Sequence, residues 1–200
     1  MEDLRKQLIE ETKAKLEDSF DRVRLIIHSS RPIDELERAE QSLQLRISSF
    51  LQHIGPDAKD ISHIKIDGTK IRKEDMQMLK ENLALQKEIS SLKSGNMGYL
   101  AKLMKEIVPR LTEVTGAQMG AKLIDLAGGI ERLASMATSK IQVLGAERAM
   151  FRHLKTGSKS PKYGILFMHP SVNGSDDKGK AARKLASDIS KAVRVDFYRK

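Results

Sequence analysis

Between residues 142 and 170 the chain reads QVLGAERAMFRHLKTGSKSPKYGILFMHP, and Arg148, Arg152, Lys155, Lys159 and Lys162 crowd its first three quarters. Guanidinium and ammonium groups donate hydrogen bonds and accept none, so their complement is an anion, and a row of phosphates uses several of them at once. If 141–154 is one helix, about 100° per residue puts Val143, Glu147, Met150 and Leu154 on a side expected to face the core, and Arg148, Arg152 and Lys155 together on the other. Phe151 falls at the margin. Gly145-Ala146 leaves the surface bare just before the first arginine, which lets an RNA backbone or a protein surface come close. The apolar run YGILFM, expected as a strand-like or buried segment, ends at His169-Pro170, where a stop in the chain can hold an imidazole at the surface. Cations that hold phosphates beside His or Phe rings that stack on unpaired bases are a combination RNA-binding proteins use. The competing reading is a solvated cationic helix face and a structural His169.

Other chemistries find little support. There is no cysteine, which removes thiolate metal sites and disulfides, and the five histidines follow no metal-ligand spacing such as HExxH. No GxxxxGK[ST], GxGxxG or GxSxG occurs, so neither an enzyme nor a cofactor is expected. The formal net charge is +9 with a pI of about 9.7, which favours a polyanionic partner. Up to Gly98 cations and anions interleave and nearly cancel; from Tyr99 onward the basic residues clearly outnumber the acids, so the polyanion-facing surface belongs to the second half.

The elements that must position these groups are helical. Aromatic residues make up 4% of the chain, while Leu, Ile, Ala, Lys and Glu are plentiful, so an all-α protein is expected. Apolar spacing predicts a first helix from about Glu2 to Ile27, stopped by HSSRPID. A second begins at Pro32 and carries Leu36, Ala39, Leu43, Ile47, Phe50, Leu51 and Ile54 up to Gly55-Pro56. After a polar connection through KIDGTK, Met76, Leu79, Leu83, Gln86, Ile89 and Leu92 form a heptad-like stripe that resumes at Leu100, Leu103, Met104 and Ile107. Gly95 and Gly98 leave two options, one long helix with a weak middle or two helices meeting at SGNMG. Beyond Pro109 short alanine-rich, glycine-punctuated elements predict a compact helical module. The organisation expected is an N-terminal helix and coiled-coil-like arm over 1–110 and a module over 111–200.

The strings YLAKLMKEIVPRLTEVTGAQMGAKLIDLAGGIERLASM, IQVLGAERAMFRHLKTGSKSPKYGILFMHP and KGKAARKLASDISKAVRVD resemble the Nop domain family. That family includes the archaeal scaffold of box C/D RNA methylation particles, its paired nucleolar relatives and a pre-mRNA-processing factor of the spliceosome. The likeness is dense from Tyr99 to Asp196 and looser from Ile33 to Gly98, where the segments look like the family's coiled-coil arm. The resemblance implies a ribonucleoprotein assembly factor that recognises a kink-turn RNA together with a small, ribosomal-type kink-turn-binding protein. The family's GAEK-alFR contact motif maps onto Gly145, Ala146, Glu147, Arg148, Phe151 and Arg152, with Arg148 in place of the lysine, and the base-stacking histidine onto His169. The apolar stripes from Leu36 to Ile54 and Met76 to Ile107 are expected to bury each other, and any apolar remainder to pair with another chain, most simply as a homodimer through the arm. The N-terminal domain by which the methylation scaffolds hold fibrillarin has no counterpart in the first 30 residues, so direct fibrillarin binding is not expected. The location implied is cytoplasmic in an archaeal or other prokaryote-like cell and nuclear in a eukaryotic one. The alternative is a helical protein-interaction or dimerisation scaffold without direct RNA contact. No 18-residue apolar run is present, so no membrane partner is expected.

Overall fold

The structure is a computed structural model that describes residues 5–6, 9–10, 22–54 and 72–198. In chain order its helices are α1 (Arg22–Ile54), α2 (Lys73–Ile107), α3 (Pro109–Thr115), α4 (Ala117–Ala127), α5 (Ile130–Ser135), α6 (Thr138–Gln142), α7 (Glu147–Thr156), the 3-10 turn η1 (Ile165–Met168), α8 (Pro170–Asn173) and α9 (Lys178–Tyr198). No strand occurs among the described residues, so the fold is all-α as composition and periodicity led us to expect. No described helix is long and apolar enough to cross a membrane.

The chain divides into two compact units, Arg31–Tyr99 and the combination of Met1–Ser30 with Leu100–Lys200. In the first, α1 and α2 run side by side in opposite directions. Gln86 bonds to Gln44 and Lys93 pairs with Glu40, so partners further along α2 meet partners earlier in α1. Ile33, Ile47, Met76 and Leu79 are buried there. The Lys93 ammonium, hydrogen-bonded to Glu40, holds that carboxyl below its ordinary value. The apolar stripes read from the sequence are only partly covered, for Ala39 and Leu92 are exposed.

In the second unit α9 is the central post. Its inner face buries Ala182, Leu185, Ala186, Ile189, Ala192 and Val193, and it packs against α3, α5, α6, α8 and η1. Near its end the Asp196 carboxylate accepts from the backbone N–H groups of Arg110 and Leu111 at 3.1 and 2.8 Å. It therefore satisfies two donors in the first turn of α3, which Val108 leaves uncapped, and places negative charge at that helix's positive end.

Three local expectations change. HSSRPID does not stop a helix: α1 passes through it with Pro32 inside. A proline in a helix interior removes one hydrogen bond and costs about 3 kcal/mol, but Ile26, Ser30 and Ile33 on either side are buried and Ser30 Oγ donates to the Ile27 carbonyl. Burial thus overrides a strong local stop. SGNMG likewise lies inside one continuous α2, the first of the two options. YGILFM forms a 3-10 turn and no strand, with only Leu166 buried. The first-helix residues 2–4, 7–8 and 11–21, the stop at Gly55-Pro56 and the KIDGTK connection lie outside the described residues.

A Cβ built on Gly95 or Gly98 meets nothing within 4 Å. Gly95→Ala and Gly98→Ala should therefore each raise stability by up to about 1 kcal/mol, since alanine loses less backbone freedom on entering a helix. Thermal unfolding checks this, and a lower melting temperature in either variant would count against a continuous α2.

Candidate nucleic-acid interface

The residues from Gln142 to Pro170 form two short elements tied at their base. The single helix expected over 141–154 is in fact α6 and α7, separated at Gly145, whose φ of +83° is a backbone region that side chains with a Cβ rarely adopt. Its N–H donates to Glu147 Oε1 at 2.7 Å, so the first residue of α7 holds the turn that precedes it. The chain then returns alongside the turn. Gly164 N–H donates to the Gln142 carbonyl at 3.0 Å and Ile165 N–H to the Leu144 carbonyl at 2.8 Å, while Gln142 Nε2 donates to the Lys162 carbonyl at 2.6 Å. The approach is so close that a Cβ on Gly164 would lie 1.9 Å from the Leu144 oxygen. At the far end of α7, Gly157 N–H donates to the His153 carbonyl at 2.9 Å and His153 Nδ1–H donates to the Ser158 carbonyl. The basic loop 157–164 is thereby held at both ends.

The break at Gly145 alters which side chains face outward. The expected core-facing set of Val143, Glu147, Met150 and Leu154 does not form, because the turn interrupts the helical register and α7 buries none of its residues. Val143 and Met150 are half-buried, Glu147 is exposed, and Leu154 is 75% exposed with Phe151 at 68%. On α7 the cations Arg148, Arg152 and Lys155 occupy an arc directly beside Phe151 and Leu154, about 100° being turned per residue. All three cations are exposed, as are Lys159 and Lys162 in the loop. Gly145 is exposed and Ala146 half-buried, so the surface before Arg148 is low.

His169 sits at the start of α8 and is half-buried. Its Nδ1 accepts from Ser171 N–H at 3.3 Å and lies 2.7 Å from Ser171 Oγ, which fixes the ring's rotation and leaves Nε2 to carry the proton of the neutral form. The ring is therefore a helix cap, and the same bonds orient it. Its segment joins the α7 surface through the Ile165–Leu144 backbone bond. Tyr163 and Phe167 stack with centroids 5.2 Å apart, and Lys178 Nζ lies 5.5 Å from the Phe167 centroid, which ties η1 to the first turn of α9. Seven of the ten expected site residues, Gly145 through Lys155, thus share one continuous segment. Lys162 and His169 join it through the paired backbones, and Lys159 through the loop. Sequence reasoning missed Gln142 and Gly164, which build the junction, and it placed Leu154 inward; a glycine next to an apolar run was the one available sign of the close approach.

Among the described residues no group of three His, Asp or Glu side chains gathers to hold a metal ion. The arrangement offers anion contacts beside exposed apolar contacts, without a general acid, base or nucleophile set apart in a cleft.

Gly164→Ala should open the junction, because the added methyl cannot coexist with the Leu144 carbonyl. Overpacking of this kind costs about 1–3 kcal/mol, and amide exchange at Ile165 should accelerate. Parent-like melting together with parent-like exchange would show that the junction does not constrain the loop.

A family model described as Nop, snoRNA binding domain, fibrillarin, matches residues 17–200. An uncharacterized NOP5 family protein of Methanocaldococcus jannaschii is 50% identical over 101 residues, 50% of this chain and 24% of that protein. Nucleolar protein 58 of Neurospora crassa is 42% identical over 132 residues, 64% of this chain and 22% of its own length. Nucleolar protein 56 of Dictyostelium discoideum is 46% identical over 101 residues, 50% of this chain and 19% of its own. This chain therefore spans about a quarter or less of the length of the curated relatives it matches. A crystal structure of a fibrillarin/NOP5P complex superposes with a TM-score of 0.62 at 25% identity, covering 98% of this chain and 70% of that one. Both that description and the family model's name fibrillarin, so these likenesses do not bear out the expectation that fibrillarin binding is absent.

Proposed function

Because the chain belongs to the Nop family, we propose that it is an RNA-binding ribonucleoprotein assembly protein that engages a kink-turn, box C/D-like RNA together with a small kink-turn-binding protein. One observation carries the composite form of this reading. Phe151 and Leu154 stand exposed on the same short helix as Arg148, Arg152 and Lys155. A surface meant for phosphates alone would have no use for two large apolar groups in water, whereas a partner protein seated beside RNA covers them while the cations neutralise its phosphates. Gly145-Ala146 gives the backbone room to approach, and His169, held by Ser171, covers an exposed base. The relatives named nucleolar proteins support a nuclear location if the cell is eukaryotic.

Binding assays at several salt concentrations test this. Affinity for the preformed RNA–protein complex should exceed that for naked RNA at least tenfold, about 1.4 kcal/mol. Arg148→Ala and Arg152→Ala should each reduce the slope of log K against log salt by roughly 0.7 to 0.9. A Phe151→Ala, Leu154→Ala double variant should lose the advantage of the complex over naked RNA with the slope preserved. His169→Ala should cost about 1 to 3 kcal/mol at unchanged slope and unchanged melting; a fall in melting temperature that accounts for the lost affinity would make the histidine purely structural. Equal affinity for free and protein-bound RNA would overturn the composite reading.

The arm supports a second, compatible role as a pairing element. Leu45, Leu85 and Leu92 are exposed on α1 and α2, leaving apolar surface for a second copy of the chain. Sedimentation at tens of micromolar should give the mass of a dimer, and a monomer would count against pairing through the arm.

A further inference from the structure

The loop between α7 and the Gly164 junction is pinned at both ends and left open in the middle. The bonds to His153 hold its start, and the bonds to Gln142 hold its end. Between them Lys159, Ser160 and Pro161 make no hydrogen bond with any described residue, through backbone or side chain. Ser160 is exposed and lies outside regular structure. Every other serine or threonine from Leu100 onward is half-buried or buried, helical, or bonded through its hydroxyl to a neighbour. Pro161 adds a local constraint, because its ring pushes the preceding residue away from helical backbone and toward an extended one. An extended segment with unpaired backbone groups is a form that other proteins bind. Here that form presents a hydroxyl.

The charges around that hydroxyl give its modification a consequence. Lys155, Lys159 and Lys162 are exposed, and no described acid pairs with any of them. We infer that Ser160 is a phosphorylation site for a proline-directed protein kinase, and that the phosphorylated side chain takes the loop's cations away from RNA. The γ-phosphoryl group of ATP passes to Ser160 Oγ: the bond to the departing ADP breaks, the Oγ–P bond forms, and the hydroxyl proton leaves to the kinase's general base. The product carries about −1.5 to −2 charge at pH 7 and three strong acceptor oxygens. It therefore cancels roughly two of the three lysine charges. Tethered beside them, it competes at an effective concentration on the order of millimolar, without the entropy cost of bringing in a separate molecule. The same lysines cannot serve both phosphates at once.

This inference rests on the RNA-binding reading above, and the experiment separates the two. The folded full chain is incubated with ATP and a purified proline-directed serine kinase, and its phosphopeptides are mapped. Ser160 should be modified, and Pro161→Ala, which keeps the hydroxyl, should remove most of the incorporation. No phosphoryl group at Ser160, or incorporation only after heat unfolding, overturns the inference. Phosphorylated and unmodified chains are then titrated at several salt concentrations against kink-turn RNA bound by its small partner protein. Phosphorylation should weaken binding about tenfold or more and lower the slope of log K against log salt by roughly 1.4 to 1.8, two phosphate contacts at roughly 0.7 to 0.9 each. Ser160→Ala should bind like the untreated parent and no longer respond to the kinase. Ser160→Asp should weaken binding where the neutral Ser160→Asn of similar size does not, which separates charge from bulk. A phosphorylated chain that binds like the parent overturns the inference and leaves the site reading standing, whereas an unmodified parent that binds no RNA overturns both. Lost affinity matched by a fall in melting temperature would mean that the phosphate disrupts the loop, and also overturns it.

Discussion

The geometry of the candidate interface depends on two backbones that touch without side chains between them. Gly164 lies against Leu144 where no Cβ fits, and the Gly164–Gln142 and Ile165–Leu144 hydrogen bonds hold the returning chain there. Buried backbone groups must be paired, and here they pair with each other across a loop of some twenty residues, which fixes both ends of that loop at once. The consequence is that α7, which buries nothing of its own, still has a defined place. Its stability is borrowed from the junction below it.

That division of labour suits recognition. A helix with no buried residue contributes little to folding, so its sequence is free to carry cations and exposed apolar groups that would burden a core. The core tasks fall to α9, whose inner face is wholly apolar apart from Ser190, and whose Asp196 reaches the start of α3. The same helix keeps its outer face cationic. One element therefore links packing on one side to electrostatics on the other, and the 3.6-residue period separates the two.

The described residues also show where local rules yield to burial. Pro32 and Gly95 are both strong punctuation in a sequence, yet α1 and α2 pass through them. Each costs on the order of 1–3 kcal/mol locally, less than the burial of large apolar side chains on either side, such as Ile26 and Ile33 around the proline and Leu100, Leu103 and Met104 beyond the glycines. Gly145 is the opposite case. The chain turns before AERAMFRHLK because Gly145 takes a positive φ beside the returning backbone, where Gly164 and Ile165 bond to Gln142 and Leu144.

The sequence by itself determined the helical class, the basic second half and the cluster of cations and rings between Arg148 and His169, because composition, charge and period are properties of the chain alone. It also carried the family likeness, since ordered strings of residues are matched without coordinates. What only the tertiary structure decided was which of those groups meet water and which meet each other. Leu154 read as a core residue because a 3.6-residue period assumes an unbroken helix, and the break was set by a contact between Gly164 and Leu144, twenty positions apart in the chain. Likewise Lys180, Arg183, Lys184, Lys191 and Arg194 were visible as cations in a string, but that they share the outward face of α9 follows from which side of the helix the core claims.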